Sequence, residues 1–371
     1  MKIKWPRLPD SVAVTLGLIL LLAAGLVAAF SAGGEFSDWE RRYLAKAPET
    51  PDIQNWDTDK KTETFLADHV PMRNALVAVD SMAQLLSGRR TQLEAWYVAG
   101  AVVEQPVAAD AAKLERNLQR FASIADKAGL PWLLLTPPTH GWLVREQMPS
   151  LMADGYEQET AVQALLETYP QYVRMTDEFF AEPQDMYYAT DHHWTLAGAY
   201  QAYLALADRL GYEPLPLEQF RLSEYPGFAG TTLSRSGLPP FTRDTLVCAE
   251  PDSPVTLTIQ EDGTTFDHLI FPEAAQTYDG YAVYLNGNHG MLVIQRPDAP
   301  EGTLVVFKDS FANCLLPLLS QHFRQIIAVD ARYYQGNFSG ALAMAEDVRA
   351  MLFMYSLDSL ANDTNIIRKA R

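Results

Sequence analysis

Asp191, His193 and Ser310 are the residue types from which a covalent acyl-transfer centre is built. A serine hydroxyl is a poor nucleophile until a histidine takes its proton and a carboxylate holds that histidine in one tautomer. The first two lie in YATDHHWTLAGAYQAY, where Asp191, His192, His193 and Trp194 are consecutive. In an extended or turn segment, residues two apart point to the same side, which pairs Asp191 with His193 and turns His192 away. Ser310 lies in Lys308-Asp309-Ser310, where the apolar run TLVVFK passes into SFANCLLPLLS. The carboxyl end of a parallel strand, met by the N-terminus of the next helix, opens on the crevice where α/β sheets bind ligands, and the helix's free N–H groups favour negative charge there. One such N–H stabilises an oxyanion by about 2.7 to 4 kcal/mol.

Each feature also has a plainer reading. Asp309 or Ser310 could simply cap the helix, as these residue types do routinely. Asp191, His192 and His193, with His140 or His289, could supply nitrogen and oxygen ligands to a metal, although adjacent histidines rarely converge on one ion and no HExxH or CxxC partner is present. Asp191, His192, His193 and Trp194 could also form a purely structural turn. In YAVYLNGNHGMLVI, Asn286-Gly287 is a strong hairpin signal, while the Gly287 amide or the Asn288 side chain is a candidate oxyanion donor. Trp142, Trp194, Tyr187 and Tyr188 lie in or beside these loops and could stack on sugar rings or pack into the core.

Something must hold these loops together, and the chain alternates strands and helices. Helix is expected over Ala111 to Ala128, closed by Gly129, then strand over Pro131 to Pro138, helix over Gln158 to Thr168 and a short strand over Tyr172 to Met175. Thr195 to Leu210 reads as a helix with Thr195 as N-cap and Gly211 as its stop. Strands are expected at Thr303 to Lys308, Gln325 to Asp330 and RAMLFMYS. Such alternation predicts a parallel sheet with helices on its faces. Residues of about 222–295, rich in Gly, Pro, Thr and Asp with runs such as PVTLTIQ, are expected to form a β-rich insertion within a domain spanning 93–371.

Upstream, residues 35–92 carry helix-spaced apolar positions such as Phe65, Leu66, Val70, Leu76, Val79 and Met82, interrupted by prolines, and are expected to form a helical stalk packing on the domain. Residues 1–34 contain twenty uncharged residues, Ser11 to Phe30, preceded by Lys2, Lys4 and Arg7. That length spans a bilayer, and the basic flank places everything after it outside the cytoplasm. A cleavable signal peptide is the alternative, which would leave a secreted protein.

Composition narrows the function classes. With 48% hydrophobic and 11% aromatic residues the chain has material for a sizeable core. A net charge of −17, with 29 Lys and Arg against 46 Asp and Glu, argues against a nucleic-acid partner. Cys248 and Cys314 could form one disulfide if their Cα atoms approached within about 7 Å.

TDHHW followed far downstream by FKDSFAN resembles the bacterial DHHW proteins, which stand with the SGNH-hydrolase-like domains of the alginate O-acetyltransferase proteins. FLADHVPMRNAL (Phe65 to Leu76, with Asp68, Pro71 and Arg73), FAGTTLSRSG (Phe228 to Gly237) and YLNGNHGMLVI are also similar to blocks of that family. The resemblance implies an α/β SGNH-hydrolase-like fold and a triad of Asp191, His193 and Ser310, with acid and base before the nucleophile in the chain. Lys308 departs from the glycine that the acetyltransferases commonly carry before Asp-Ser. The implied role is a membrane-anchored extracytoplasmic O-acetyltransferase or acetylesterase of cell-surface polysaccharide, using neither cofactor nor metal, with Gly287, Asn288, Asp309 and Trp194 as further oxyanion or substrate-binding candidates. A transferase would draw acetyl groups from a multi-spanning membrane acyltransferase. The rival expectation is a catalytically silent glycan-binding or scaffold protein of the same envelope system.

Overall fold

The computed structural model describes residues 35–37, 39–47, 56–89, 95–300 and 302–370, with four single positions between 12 and 23. Apart from those positions, the segment expected to cross a membrane, Ser11 to Phe30, lies outside the described residues. Among the described residues no helix is long and apolar enough to cross a membrane. The chain divides into two units, Met1–Leu93 with Gly237–Pro239, and Glu94–Ser236 with Pro240–Arg371.

In the first unit, β1 (Phe36–Ser37) pairs antiparallel with β2 (Arg42–Tyr43), and α1 (Trp56–Asp68) is followed by α2 (Arg73–Leu86). Its buried carboxylates are paired: Arg42 Nη1 donates to Asp68 Oδ2 at 2.8 Å, and Arg73 Nη1 lies 2.7 Å from Glu40 Oε1. An unpaired carboxylate buried there would cost several kcal/mol. Asp68 and Arg73 of the FLADHVPMRNAL block therefore serve an ion-pair network.

The second unit opens with the antiparallel pair β3 (Ala95–Val98) and β4 (Ala101–Glu104), followed by α3 (Ala111–Ala128). Helix α3 has the expected ends: the Asp110 carboxylate accepts from Lys113 N at 3.0 Å, and Gly129 stops it at φ 65°. Next come β5 (Trp132–Leu135), α4 (Glu157–Leu166) and α5 (Leu196–Leu210). Thr195 caps α5 and Gly211 ends it at φ 73°. β6 (Arg221–Phe228) pairs antiparallel with β7 (Asp244–Glu250), then β8 (Thr256–Ile259), β9 (Thr265–Phe266) and β10 (Met291–Gln295) follow. The chain closes through β11 (Thr303–Lys308), α6 (Ala312–Leu319), β12 (Gln325–Asp330), β13 (Val348–Met354) and α7 (Leu357–Asn362).

Seven strands form the central sheet in the order β5-β13-β11-β12-β10-β8-β9. β11 runs parallel to both neighbours, with Val306 in register with Ala328 and Leu352. Alternation along β11 sorts the core: Leu304 and Val306 join the side chains of α5 and α6 on one face, and Val305 and Phe307 join those of α3 and α7 on the other. A central strand covered on both faces needs an unbroken apolar run, and TLVVFK is buried at every position.

Three expectations change. The sheet is parallel only over β5, β13, β11 and β12; β10, β8 and β9 add antiparallel to its other edge. Part of the expected insertion is therefore sheet edge, because alternation marks a strand without naming its partner. Tyr172 to Met175 contributes only a single parallel bridge, between Tyr172 and Leu134. Tyr281 to Leu285, which alternates like a strand, is a 3-10 turn over Gly280–Val283 with one bridge from Tyr284 to Ile270, so Asn286-Gly287 joins no hairpin. Its apolar side chains are satisfied by burial instead, Val283, Tyr284 and Leu285 all at 0% exposure.

Candidate active site

The histidine loop is a tight excursion ahead of α5. Tyr187 and Trp194 bridge across it, and Tyr188 N donates to His193 O at 3.3 Å. Asp244, at the start of β7, clamps the tip: its carboxylate accepts Ala189 N at 3.0 Å, Thr190 N at 2.9 Å and the Thr190 hydroxyl. The loop is also bound to FAGTTLSRSG, since Gly230 N donates to Thr190 Oγ1 at 2.8 Å and Leu233 N to Thr190 O at 2.9 Å. Gly230 is needed there, because a Cβ would lie 2.6 Å from Asp191 Cα and against Thr190 O.

Asp191 is buried and fully partnered. Oδ1 accepts His193 N at 3.0 Å and His193 Nδ1 at 2.6 Å, and Oδ2 accepts Thr231 N. Burial alone would raise its pKa, but the neighbouring histidine charges, the His193 hydrogen bond and the Thr231 amide hold it well below the usual carboxylate range. With Nδ1 donating to a carboxylate, the other ring nitrogen of His193 is an acceptor, and Nε2 lies 2.8 Å from Ser310 Oγ. Burial depresses the His193 pKa to about 4, with His192 adding to the shift and Asp191 opposing it. The ring is therefore neutral at pH 7, the state in which it takes a proton from serine.

Ser310 arrives from the other side, on the turn between β11 and α6. Asp309 braces that turn: Oδ1 accepts Phe311 N at 3.1 Å and Oδ2 accepts Ser356 N at 2.8 Å. Ser310 N makes no hydrogen bond among the described residues, and Ser310 is partly exposed where its neighbours are buried. Three rings pack against His193: Tyr281 stacks on it at 3.8 Å between centroids, and His192 and Phe311 tilt against it at 4.0 and 5.0 Å. Ser310, His193, Asn288, Asn313 and Arg332 line one cleft of about 390 Å³.

Asp191, His193 and Ser310 thus meet, although 117 residues separate the histidine from the serine. Asn288 also lines the cleft, with Oδ1 accepting Asn313 Nδ2 at 3.2 Å. The other candidates need correction. The Gly287 N–H is committed to Tyr284 O at 3.0 Å, because the left-handed turn at Leu285, Asn286 and Gly287 folds it back on the chain. Asp309 has only acceptor oxygens, both engaged in the brace. Trp194 is 0% exposed and donates Nε1 to Phe311 O at 3.0 Å, so it locks the histidine loop to the serine turn and offers no face to a sugar. Tyr187 and Tyr188 are equally buried, and Trp142 is covered by Arg145 at 4.0 Å. Cys248 and Cys314 are buried free thiols, both shifted upward by burial.

Asp191, His192 and His193 present ligand atoms within 4.8 Å of one another. Both ring nitrogens of His193 are already held, by Asp191 and Ser310, which disfavours an ion at this point. His192 is a half-buried neighbour, 3.5 Å from Asp191 Oδ1 through Nδ1.

Several contributors gave little sequence signal. Tyr281 sat inside a strand-like pattern. Asp244 and Gly230 act through the backbone of a loop some 40 to 55 residues away in the chain. Glu159 on α4 accepts Thr139 N at 2.7 Å and the Thr139 hydroxyl at 2.6 Å, setting the rim of the cleft beside His140. Gly230 lay in FAGTTLSRSG, a block similar to the family's, which could have revealed its role.

Residues 177–329 match the family described as DHHW protein, and residues 95–238 match the SGNH hydrolase-like domain of the acetyltransferase AlgX. No curated protein matches the chain by sequence. Among solved structures, a DHHW family protein from Eubacterium siraeum aligns at a TM-score of 0.62 with 19% identity, covering 74% of this chain and 94% of its own. Bacillus cereus PatB1, solved with a sulfonyl adduct, aligns at 0.60 with 20% identity, covering 75% of this chain and 97% of its own. The fold is thus shared with both, and the resemblance to DHHW proteins and to the SGNH-hydrolase-like domain of AlgX is the one that these comparisons show.

Proposed function

We propose that this protein is an O-acetyltransferase or acetylesterase acting on cell-surface polysaccharide through Ser310, His193 and Asp191. One observation carries the reading: Ser310 Oγ lies 2.8 Å from His193 Nε2 while His193 Nδ1 lies 2.6 Å from the buried Asp191, at the wall of an open cleft. The match to an acetyltransferase domain supports the reaction class.

Ser310 Oγ attacks the carbonyl carbon of an acetyl ester as His193 Nε2 takes its proton. The intermediate's oxyanion is received by the free Ser310 amide and the Asn288 side-chain amide. On collapse the donor's leaving oxygen takes the proton back from His193, and acetyl-Ser310 remains. An acceptor hydroxyl then gives its proton to His193, attacks the same carbonyl and carries the acetyl group away while serine recovers its proton. A sugar hydroxyl as acceptor makes the protein a transferase, and water makes it an esterase. Asp191 orients the imidazole and stabilises its charged form throughout.

The location follows from the N-terminal apolar segment: the reading places the domain outside the cytoplasm, anchored by Ser11 to Phe30. One helix forms no channel for a cytoplasmic donor, so a transferase would be supplied by a multi-spanning membrane acyltransferase.

The test is turnover of p-nitrophenyl acetate, with wild type compared against Ser310→Ala and His193→Ala, alongside labelling by a sulfonyl fluoride, a reagent class suggested by the PatB1 adduct. Loss of turnover in both variants, with the label on Ser310, supports the reading. A folded wild type that neither turns over nor labels would point instead to a glycan-binding scaffold.

A further inference from the structure

Lys308 stands where the acetyltransferases commonly carry glycine, and it is unusual in itself: a lysine of 0% exposure at the carboxyl end of the central strand. A buried ammonium survives only where its protons find acceptors. Its Nζ donates to Asn313 Oδ1 at 2.7 Å and reaches Asp309 O at 3.5 Å, and among the described residues no carboxylate pairs with it directly. Burial pulls the Lys308 pKa below its ordinary value and Arg332 adds to that, while the negative charges of Asp330 and Asp309 oppose it.

The contact with Asn313 decides more than the lysine's own comfort. An amide's oxygen and nitrogen have nearly the same shape, so which one faces a neighbour is settled by hydrogen-bond chemistry. An ammonium only donates, so Asn313 must turn Oδ1 to Lys308 and present Nδ2 on its other side. Nδ2 meets Asn288 Oδ1 at 3.2 Å and Gly287 O at 3.4 Å. Asn288 must then accept with its oxygen, which leaves its own Nδ2 without a hydrogen bond among the described residues, on a wall of the cleft that Ser310 shares.

We infer that Lys308 is a positioning residue which, through Asn313, fixes the Asn288 amide in the one orientation that offers an N–H donor to the oxyanion. The inference rests on the proposed acyl transfer. Without the relay, Asn288 could present either end of its amide, and an oxygen facing the oxyanion would repel it. Asn313 also joins the first turn of α6, so the relay ties the oxyanion donor to the helix that follows the nucleophile.

A double-mutant cycle on kcat for p-nitrophenyl acetate tests this in the full chain. Asn288→Ala should lower kcat by about 10²- to 10³-fold, as loss of an oxyanion donor does. Lys308→Met should lower kcat by about tenfold or more with KM little changed, because Lys308 touches no substrate. In the Asn288→Ala background the same change should have less than about a twofold effect, because there is no amide left to orient. Additive losses would overturn the inference while leaving the triad reading intact, and so would an unaltered kcat in Lys308→Met. If Lys308→Met does not fold, the combination Lys308→Met with Asn313→Leu removes donor and acceptor together, and the same cycle is run with it. A wild type without turnover or Ser310 labelling would defeat the functional reading and this inference with it.

Discussion

Tyr281 lies flat on His193, ring centroids 3.8 Å apart and planes 6° from parallel. The stack covers the imidazole face and helps exclude water from it, and burial is the first cause of the depressed His193 pKa. Tyr281→Ala should therefore let water in and move that pKa from about 4 toward the ordinary 6.5. The measurement is the acid limb of kcat/KM against pH, which reports the free enzyme. Tyr281→Phe keeps the ring and should leave the limb near pH 4. A limb unmoved in Tyr281→Ala would show that the stack does not set the pKa.

Stability should change with pH in a direction the titrating groups dictate. His140, His193 and His322 are all held near 4, so each binds fewer protons folded than unfolded. Their contribution is full above about 6.5 and is lost as pH falls from 6.5 through 4. Glu159 works the other way: burial raises it to about 7, so its contribution is full below the ordinary 4.5 and is lost as pH rises through 7. Urea unfolding should show lower stability at pH 4.5 than at pH 6.5. Glu159→Gln, which keeps an acceptor for Thr139 N without a charge, should remove the loss that Glu159 contributes between about pH 4.5 and 7, so stability should rise more steeply over that range in the variant than in wild type.

Asp191→Asn keeps the size of the side chain but offers His193 the wrong hydrogen-bond partner. Retained folding with kcat reduced on the order of 10⁴-fold is the expectation for a triad acid that fixes a tautomer. His192→Ala should stay within about tenfold of wild type, since the His192 ring only tilts against that of His193, while the His193 nitrogens are held by Asp191 and Ser310. Equal losses in the two variants would count against this division of roles.

Gly230→Ala tests the brace behind the acid. The added methyl would press on Asp191 and Thr190 O, so the backbone must shift. The expected cost is about 1 to 3 kcal/mol of stability, as for overpacked cores, together with lost turnover as Asp191 moves from His193. Thermal melting and p-nitrophenyl acetate hydrolysis together would show whether both losses occur.

Local sequence was enough for the elements that need only local physics. Ala111–Ala128 and Leu196–Leu210 carry helical periodicity between a capping side chain and a left-handed glycine, and TLVVFK and QIIAVD read as buried strands because nothing polar interrupts them. Residue chemistry also singled out Asp191, His193 and Ser310, since few combinations can activate a serine. Tertiary structure decided what depends on the partner. The edge strands β8 to β10 run antiparallel because of which neighbour they found, and the Gly287 amide was lost to a turn whose left-handed residues carry no clear signal in their types. Trp194 went into the core because its indole N–H found the Phe311 carbonyl there. The protonation of His193 is likewise a product of enclosure, as Tyr281, 88 residues away, covers a ring that would titrate near 6.5 in water. The amide orientation of Asn288 depends on a lysine and an asparagine from another strand and helix, a relation that exists only once the chain has folded.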